Sequence, residues 1–390
     1  MRKVLILTAG YGEGHNTAAR GLKEAFDVLG TAEAKVLDLC DSALGTLYQR
    51  SRRGYLRMVH ERPWLWEFLY AALHRFPSLL GNAHRLIWPL SEALVRELKQ
   101  LRPAAVVSVY PVYGYLVSAA ARKAGLPGLK HFVLITDSIS VNALWYRCDA
   151  DAFLTPNEDT ATVLKAAGVE PEKIEVTGFP VSPRFVQNTT QRTALKNGTQ
   201  PRVLLMVNGG PSRIIPLVER LLRELDIALT VTVGKDDRLG TELNALAVRM
   251  GKPLEVLGWV EDLPTLLQRH HVLIGKAGGA TVQEALAAHT PMLITHILPG
   301  QETGNARLLL QNGCGAHVPT SEAILLVLTK LFQHDAEAWH RMYRNCVSLG
   351  RPDAALVNAR WILQQTDAST PSRGTNGLRP DKADNAGAKP

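Results

Sequence analysis

Two α/β domains, each built on a doubly wound parallel sheet, are predicted by three observations. Short apolar runs alternate with helical segments from Val4 to Thr295. A glycine-rich turn lies between a strand and a helix in each half, at Gly10–Gly14 and at Gly275–Gly279. A polar stretch with no strand signal, Ser182–Gln200, separates the halves. A chain of 390 residues is also too long for one comfortable core.

In order, Val4–Thr8 reads as a buried strand, Thr17–Leu29 as a helix and Lys35–Leu39 as a second strand. A long helical stretch from Ser42 to Leu101 is expected to be interrupted at Pro63, Pro77 and Pro89. Strands follow at Ala105–Val109, Phe132–Thr136, Ala152–Leu154 and Ile174–Thr177. The second half restarts at Val203–Val207 and continues with Leu229–Val233, Leu254–Leu257, Val272–Ile274 and Met292–Thr295. These boundaries give a first domain over 1–185, a second over 200–350 and a C-terminal helix over 351–366. The tail, 367–390, is rich in Gly, Pro, Ser and mixed charge, a composition expected to stay disordered.

Composition narrows the function. Hydrophobic residues make up 46% and charged residues 21%, the profile of a soluble globular protein. A net charge of +8 favours an anionic partner: phosphate, nucleic acid or an acidic membrane surface. Cys40, Cys148, Cys314 and Cys346 show neither C-x-x-C nor zinc-ligand spacing and read as reduced structural thiols. The start, MRKVLILTAG, has no small-residue cleavage site after its apolar run and reads as a strand. No stretch approaches the roughly 18–20 apolar residues of a membrane span, so any membrane contact is expected to be peripheral.

The first glycine-rich turn, Gly10-Tyr11-Gly12-Glu13-Gly14-His15, is G-x-G-x-G at the carboxyl edge of a parallel sheet, where helix N–H groups face a crevice. His15 is placed to take a proton from a hydroxyl, though a histidine here also suits a packed helix start. Asp38, ending the second strand, keeps a dinucleotide site in play. The second turn, Gly275-Lys276-Ala277-Gly278-Gly279-Ala280-Thr281, opens a helix whose free N–H groups and positive dipole end suit a diphosphate. Glu284, one turn further on, suits ribose hydroxyls or simply complements the dipole. Without a G-K-[ST] ending this is no P-loop. Pro299-Gly300-Gln301-Glu302 leads to Asn305, polar groups that suit a sugar or an ordinary helix start.

Together G-Y-G-E-G-H-N-T-A-A at 10–19, T-D at 136–137, T-G-F-P-V at 177–181, N-G-G at 208–210, G-K-A-G-G-A-T-V-Q-E-A at 275–285 and P-G-Q-E-x-G-N-A at 299–306 resemble the monogalactosyldiacylglycerol synthase and diacylglycerol glucosyltransferase family. That family is related to the N-acetylglucosaminyltransferase that makes lipid II. The resemblance implies a GT-B fold, two Rossmann-like doubly wound domains facing a cleft. It also implies an inverting transfer from a UDP-sugar to a lipid, with no cofactor and no metal motif. By position, Gly278, Gly279, Ala280 and Thr281 would hold the donor diphosphate, Glu284 its ribose, and Gln301 and Glu302 its sugar hydroxyls, with Gly209, Gly210, Gly300 and Asn305 also on the donor side. Gly12, Gly14, Asn142 and Trp145 would lie on the acceptor side, with His15 the favoured base and Asp137 either orienting it or acting as the base. After T-D the sequence departs from the family pattern: Ser138 to Leu144 contains no histidine, and Trp145 comes one residue late.

Residues 48–88 interleave arginines, among them Arg52, Arg53 and Arg57, with aromatics that include Trp64 and Trp66. Basic charge with interfacial Trp and Tyr suits an anionic bilayer, or equally a solvated helix face. Nucleic acid is not expected as a partner, since no RNA-binding module accompanies these residues. The expected location is cytoplasmic, at the inner face of the cell membrane. Three other readings stay open: transfer to a lipid-pyrophosphate, a UDP-N-acetylglucosamine 2-epimerase, and a membrane-bound UDP-sugar sensor without turnover.

Overall fold

The computed structural model describes residues 1–75, 84–188, 192, 194–196, 198–300 and 302–367. The tail from residue 368, the interruption expected at Pro77 and the side chain of Gln301 lie outside the described residues.

The first sheet comprises β1 (Arg2–Thr8), β2 (Ala32–Asp38), β3 (Ala105–Ser108), β4 (Lys130–Leu134), β5 (Ala152–Thr155) and β6 (Ile174–Val176), in the order β2-β1-β3-β4-β5-β6. The second comprises β7 (Arg202–Met206), β8 (Ala228–Thr232), β9 (Leu254–Leu257), β10 (Val272–Lys276), β11 (Met292–His296) and β12 (Gly315–His317), in the order β12-β11-β10-β7-β8-β9. All pairings are parallel. Chain order reverses between β1 and β3, and again between β7 and β10. A doubly wound sheet opens a ligand crevice at such points, beyond the strands' carboxyl ends.

Strands buried on both faces explain the unbroken apolar runs. Val4 and Ile6 of β1 join the core beneath α1 (Glu13–Leu29), while Leu5 and Leu7 join the opposite core. The long helical stretch divides into α2 (Leu39–Leu44), α3 (Thr46–Glu61), α4 (Pro63–Arg75) and α5 (His84–Leu101). Pro63 starts α4, as expected of a residue with fixed φ and no N–H. Pro89 instead lies inside α5, near its start, where the missing N–H removes one intrahelical bond. The unpredicted break is at Gly45, whose φ of +49° ends α2.

In the second domain, α6 (Gly279–Ala287) follows β10 and α7 (Thr303–Gln311) follows β11. One apolar cluster runs through both domains, taking in Leu22 and Phe26 of α1 with Leu286 of α6. The C-terminal helix, α8 (Ala354–Asp367), crosses back and packs on α1, completing the first domain. Asn358 is its anchor: fully buried, it donates to the carbonyls of Thr177, Gly178 and Ala354 and accepts from Thr177 Oγ1 at 2.7 Å. Gly178 has φ +86°, and a Cβ there would lie 2.7 Å from that of Ala354, so only glycine fits.

Asn358→Ala leaves several buried backbone groups without partners. It is expected to lower unfolding free energy by about 2–4 kcal/mol in a urea titration.

Candidate functional site

The first turn is held in shape by a carboxylate. Gly10 N–H donates to Asp38 Oδ2 at 2.9 Å and to the Tyr48 hydroxyl at 2.6 Å, and that hydroxyl donates to the same Oδ2 at 2.9 Å. Asp38 Oδ1 accepts from the N–H groups of Cys40 and Asp41. Both oxygens are engaged in tying β2, α2 and α3 to the turn, which removes Asp38 as a ribose ligand and with it the dinucleotide reading. A Cβ on Gly10 would sit 3.0 Å from the Tyr48 hydroxyl and 4.0 Å from Arg52 Cζ, so Arg52 lies over the turn.

Gly12 is the residue before α1, and no side chain caps that helix. His15 lies in its first turn, 9% exposed. Its Nδ1 is 3.1 Å from Thr136 Oγ1, and the rings of Tyr110 and Trp145 stand 5.2 and 5.8 Å from its own. Burial pushes the imidazole down to about 4, so it is neutral at physiological pH. Asp137 follows directly at the end of β4. Burial raises its carboxyl to about 6, against the opposing effect of the Trp145 indole N–H, which donates to Oδ2 at 2.8 Å. Asp137 is therefore oriented by Trp145, and His15 by Thr136.

Facing this group, Gly278 precedes α6, again with no side-chain cap. The N–H groups of Gly279, Ala280 and Thr281 begin a helix and have no intrahelical acceptor. A Cβ on Gly14 would lie 3.9 Å from Ala280 N, and one on Gly279 would lie 3.5 Å from Thr136 O. The starts of α1 and α6 thus meet across the cleft. Glu284, one turn into α6, lies in the same crevice, where burial raises its carboxyl to about 8 and Arg20 of α1 opposes the shift. Gly209 and Gly210 end the β7 turn, and Gly210 precedes another helix with no side-chain cap. Asn208 ties that turn to Thr295 Oγ1 at 3.0 Å.

The remaining candidates divide. Asn305 is buried at the start of α7. Its Nδ2 donates to Ala277 O, and its Oδ1 has no hydrogen-bond partner among the described residues. Glu302, expected to face sugar hydroxyls, is buried, with Oε1 on Lys276 Nζ at 3.0 Å and Oε2 on Leu298 N–H at 3.0 Å. It braces its own turn and holds Lys276 at the cleft. Gly300, φ +79°, backs onto the Tyr70 ring. Asn142 accepts from Leu144 N–H and donates to Tyr70 O, and Trp145 is 2% exposed. Both are committed to the scaffold around the end of β4. Thr136, Lys276 and Arg20 were not singled out from sequence. Lys276, directly after a glycine at a strand end, and Thr136, in the T-D pair of the resemblance, had a visible signal; Arg20 had none.

Fold and cleft define a GT-B protein. The profile of the monogalactosyldiacylglycerol (MGDG) synthase family matches residues 15–181. The processive diacylglycerol beta-glucosyltransferase of Bacillus subtilis is 25% identical, with 95% of this chain and 97% of that protein covered. The chloroplastic monogalactosyldiacylglycerol synthase of Spinacia oleracea is also 25% identical, over 90% of this chain and 70% of its own. The chain is thus similar to MGDG synthases and diacylglycerol glucosyltransferases along most of its length. Solved structures share the fold at lower identity. A MurG from Acinetobacter baumannii superposes with a TM-score of 0.60 at 16% identity, covering 93% of this chain and 100% of that one. The UDP-bound MnaA of S. aureus gives 0.60 at 15%, covering 95% and 99%.

A carboxyl raised to about 8 in the fold and near 4.5 when unfolded binds more protons in the folded state. Its burial has no effect on stability below pH 4.5 and disfavours folding increasingly from there to about pH 8. Glu284→Gln is therefore expected to raise the Tm of the protein at pH 8 and leave it unchanged at pH 4, read by scanning fluorimetry.

Proposed function

We propose that this protein is an inverting glycosyltransferase that moves a hexose from a UDP-sugar to diacylglycerol in a membrane. The observation that carries the reading is the meeting of two helix starts without side-chain caps, α1 and α6, beside a pair of proton acceptors, His15 and Asp137. The open N–H groups at Gly279–Thr281 suit the diphosphate, and their helix dipole stabilises the charge it gains on leaving. Lys276 adds a cation nearby. Glu284 suits the ribose, and the unpartnered Asn305 Oδ1 suits a hydroxyl or amide donor of the nucleotide-sugar.

In the transfer, the acceptor oxygen forms a bond to the anomeric carbon as the bond from that carbon to the phosphate oxygen breaks. UDP departs with the electron pair, and the acceptor proton passes to a base. Neutral His15 is able to receive it, and Asp137 is able to do so once ionised. Diacylglycerol as acceptor is supported by the names of the relatives, which align along nearly the whole chain. The likeness to the MurG and MnaA structures is one of fold.

The acceptor would be met at the inner face of the cell membrane. No helix among the described residues is long and apolar enough to cross a bilayer. Trp64 and Phe68, one helical turn apart on α4, are 67% and 66% exposed, and Trp88 of α5 is 60% exposed. Arg53 and Arg57 of the adjoining α3 are exposed as well. Basic charge beside exposed aromatics suits an anionic bilayer. Trp66 departs from the expected grouping. It turns inward, its ring 5.0 Å from that of Tyr55 and 5.7 Å from that of Tyr70.

The test is UDP release with UDP-glucose, UDP-galactose and UDP-N-acetylglucosamine in turn, with and without anionic vesicles containing diacylglycerol. Release that requires one sugar and the lipid is expected. Tight UDP binding with no release under any pairing would remove diacylglycerol as acceptor. With Asp137 as base, kcat rises with pH to a plateau above about 6, and Asp137→Asn falls about 100-fold while His15→Ala keeps more activity. The reverse ranking, with no inflection near 6, assigns the base to His15. The double variant Trp64→Ser/Phe68→Ser is expected to sediment with vesicles about tenfold less well at unchanged UDP affinity.

A further inference from the structure

The segment after Asp137 carries a backbone conformation that nothing local calls for. Ile139 has φ +61°, the left-handed region, which a β-branched residue strongly disfavours. Ser140 N–H donates back to Ser138 O at 2.6 Å, closing a tight turn. Its surroundings fix it from several sides. Ile139 N–H donates to Thr160 Oγ1 at 2.9 Å, Asn157 Nδ2 to Ser138 Oγ at 3.3 Å, and the Tyr70 hydroxyl to Ser140 O at 3.4 Å.

The turn reaches the other domain. Gln283 Nε2, on α6, donates to Ser138 Oγ at 3.2 Å. At the start of α7, a Cβ placed on Gly304 would lie 1.8 Å from Ser138 O and 2.6 Å from Ser140 N. Main chain meets main chain there, at a point that admits only glycine. The same turn begins one residue after Asp137, and Gln283 lies beside Glu284. Strain that persists because its surroundings hold it is a mark of functional geometry.

We propose that Ser138–Ile139–Ser140 is a positioning turn: seated on Gly304 and Gln283 when the domains shut, it sets Asp137 against the donor held at α6. The proposal rests on the transferase reading and goes beyond it, because it assigns to Gly304 and Gln283 a role in closure instead of in holding substrate. An added methyl at 304 keeps the turn off α7 and holds the cleft ajar, while the α6 N–H groups that receive the diphosphate stay intact.

The experiment compares wild type, Gly304→Ala and Gln283→Ala by calorimetry with UDP, by small-angle scattering with and without UDP, and by kcat with diacylglycerol vesicles. Wild type is expected to bind UDP and contract. Gly304→Ala is expected to bind UDP within about threefold of wild type, to stay at its UDP-free dimensions, and to lose about 100-fold in kcat, the scale set by an ångström-sized misplacement of reacting groups. Gln283→Ala, which removes only one hydrogen bond, is expected to lose about fivefold in kcat at unchanged UDP affinity. A folded Gly304→Ala that contracts and turns over within threefold of wild type overturns the proposal. If Gly304→Ala does not fold, an unaltered kcat in Gln283→Ala overturns it. Wild type that binds no UDP overturns the donor reading itself and the positioning turn with it, whereas UDP binding with unaffected variants overturns the turn alone.

Discussion

The structure depends on leaving helix ends unsatisfied. A helix start has N–H groups without intrahelical acceptors, and most proteins cover them with Ser, Thr, Asp or Asn. Here Gly12, Gly278 and Gly210 stand where such a cap would be, and none supplies a side-chain oxygen. The two sheets then bring α1 and α6 together, so the uncovered ends share one crevice. Glycine withholds the cap, and Gly14 and Gly279 lie where the two main chains come into van der Waals range. A crevice of this kind has a positive potential before any ligand enters.

That arrangement needs the domains to be separate bodies that still fold as one. Arg192, in the connecting segment, donates to the carbonyls of Leu267, His270, Ala288 and His289 and to Thr290 Oγ1, fixing the segment to the second domain. Asn358 and Trp361 fix α8 to the first, the latter edge-on to Phe132. Each domain thus holds one strap from the other's end of the chain. The chain passes between the domains at these two crossings, the kind of place where a hinge can sit.

What could be read from sequence followed from how locally each feature is encoded. Parallel strands buried on both faces are continuous apolar runs, so β1, β4, β7 and β10 were legible, and the glycine turns after β1 and β10 were too. β12 was not: Gly315-Ala316-His317 has no apolar run, and it is a strand because it pairs in parallel with Met292–Ile294 of β11, so closely that a Cβ at 315 would lie 2.3 Å from Met292 O. Side-chain roles were legible to the extent that partners lie nearby in sequence. Asp38, Glu302 and Asn142 each proved to be committed to hydrogen bonds that hold the scaffold, and Trp66 to an inner aromatic stack. A carboxylate in a loop looks the same in sequence whether it faces substrate or caps a turn. The departure after Thr136-Asp137, visible as an altered spacing, coincides with the strained turn at Ile139, whose meaning comes from Gly304, over 160 residues away.

The same burial that shapes the cleft sets its charge. Near neutral pH the shifts leave His15 uncharged, Glu284 protonated and Asp137 ionised. Three titratable groups around one crevice therefore present a single negative charge, and the opposing positive ends of α1 and α6 lie close by. A diphosphate brings more negative charge than those ends presently face. The proposed diphosphate would meet a Glu284 that adds no charge of its own and a Lys276 held at the edge by Glu302. The uncapped start of α6 and the Asp137 carboxyl line one desolvated space. There an ionised Asp137 gains basicity from burial and His15 can remain neutral. Desolvation that would be only a penalty in an ordinary core becomes, between these two domains, the means by which acid–base chemistry and anion binding coexist.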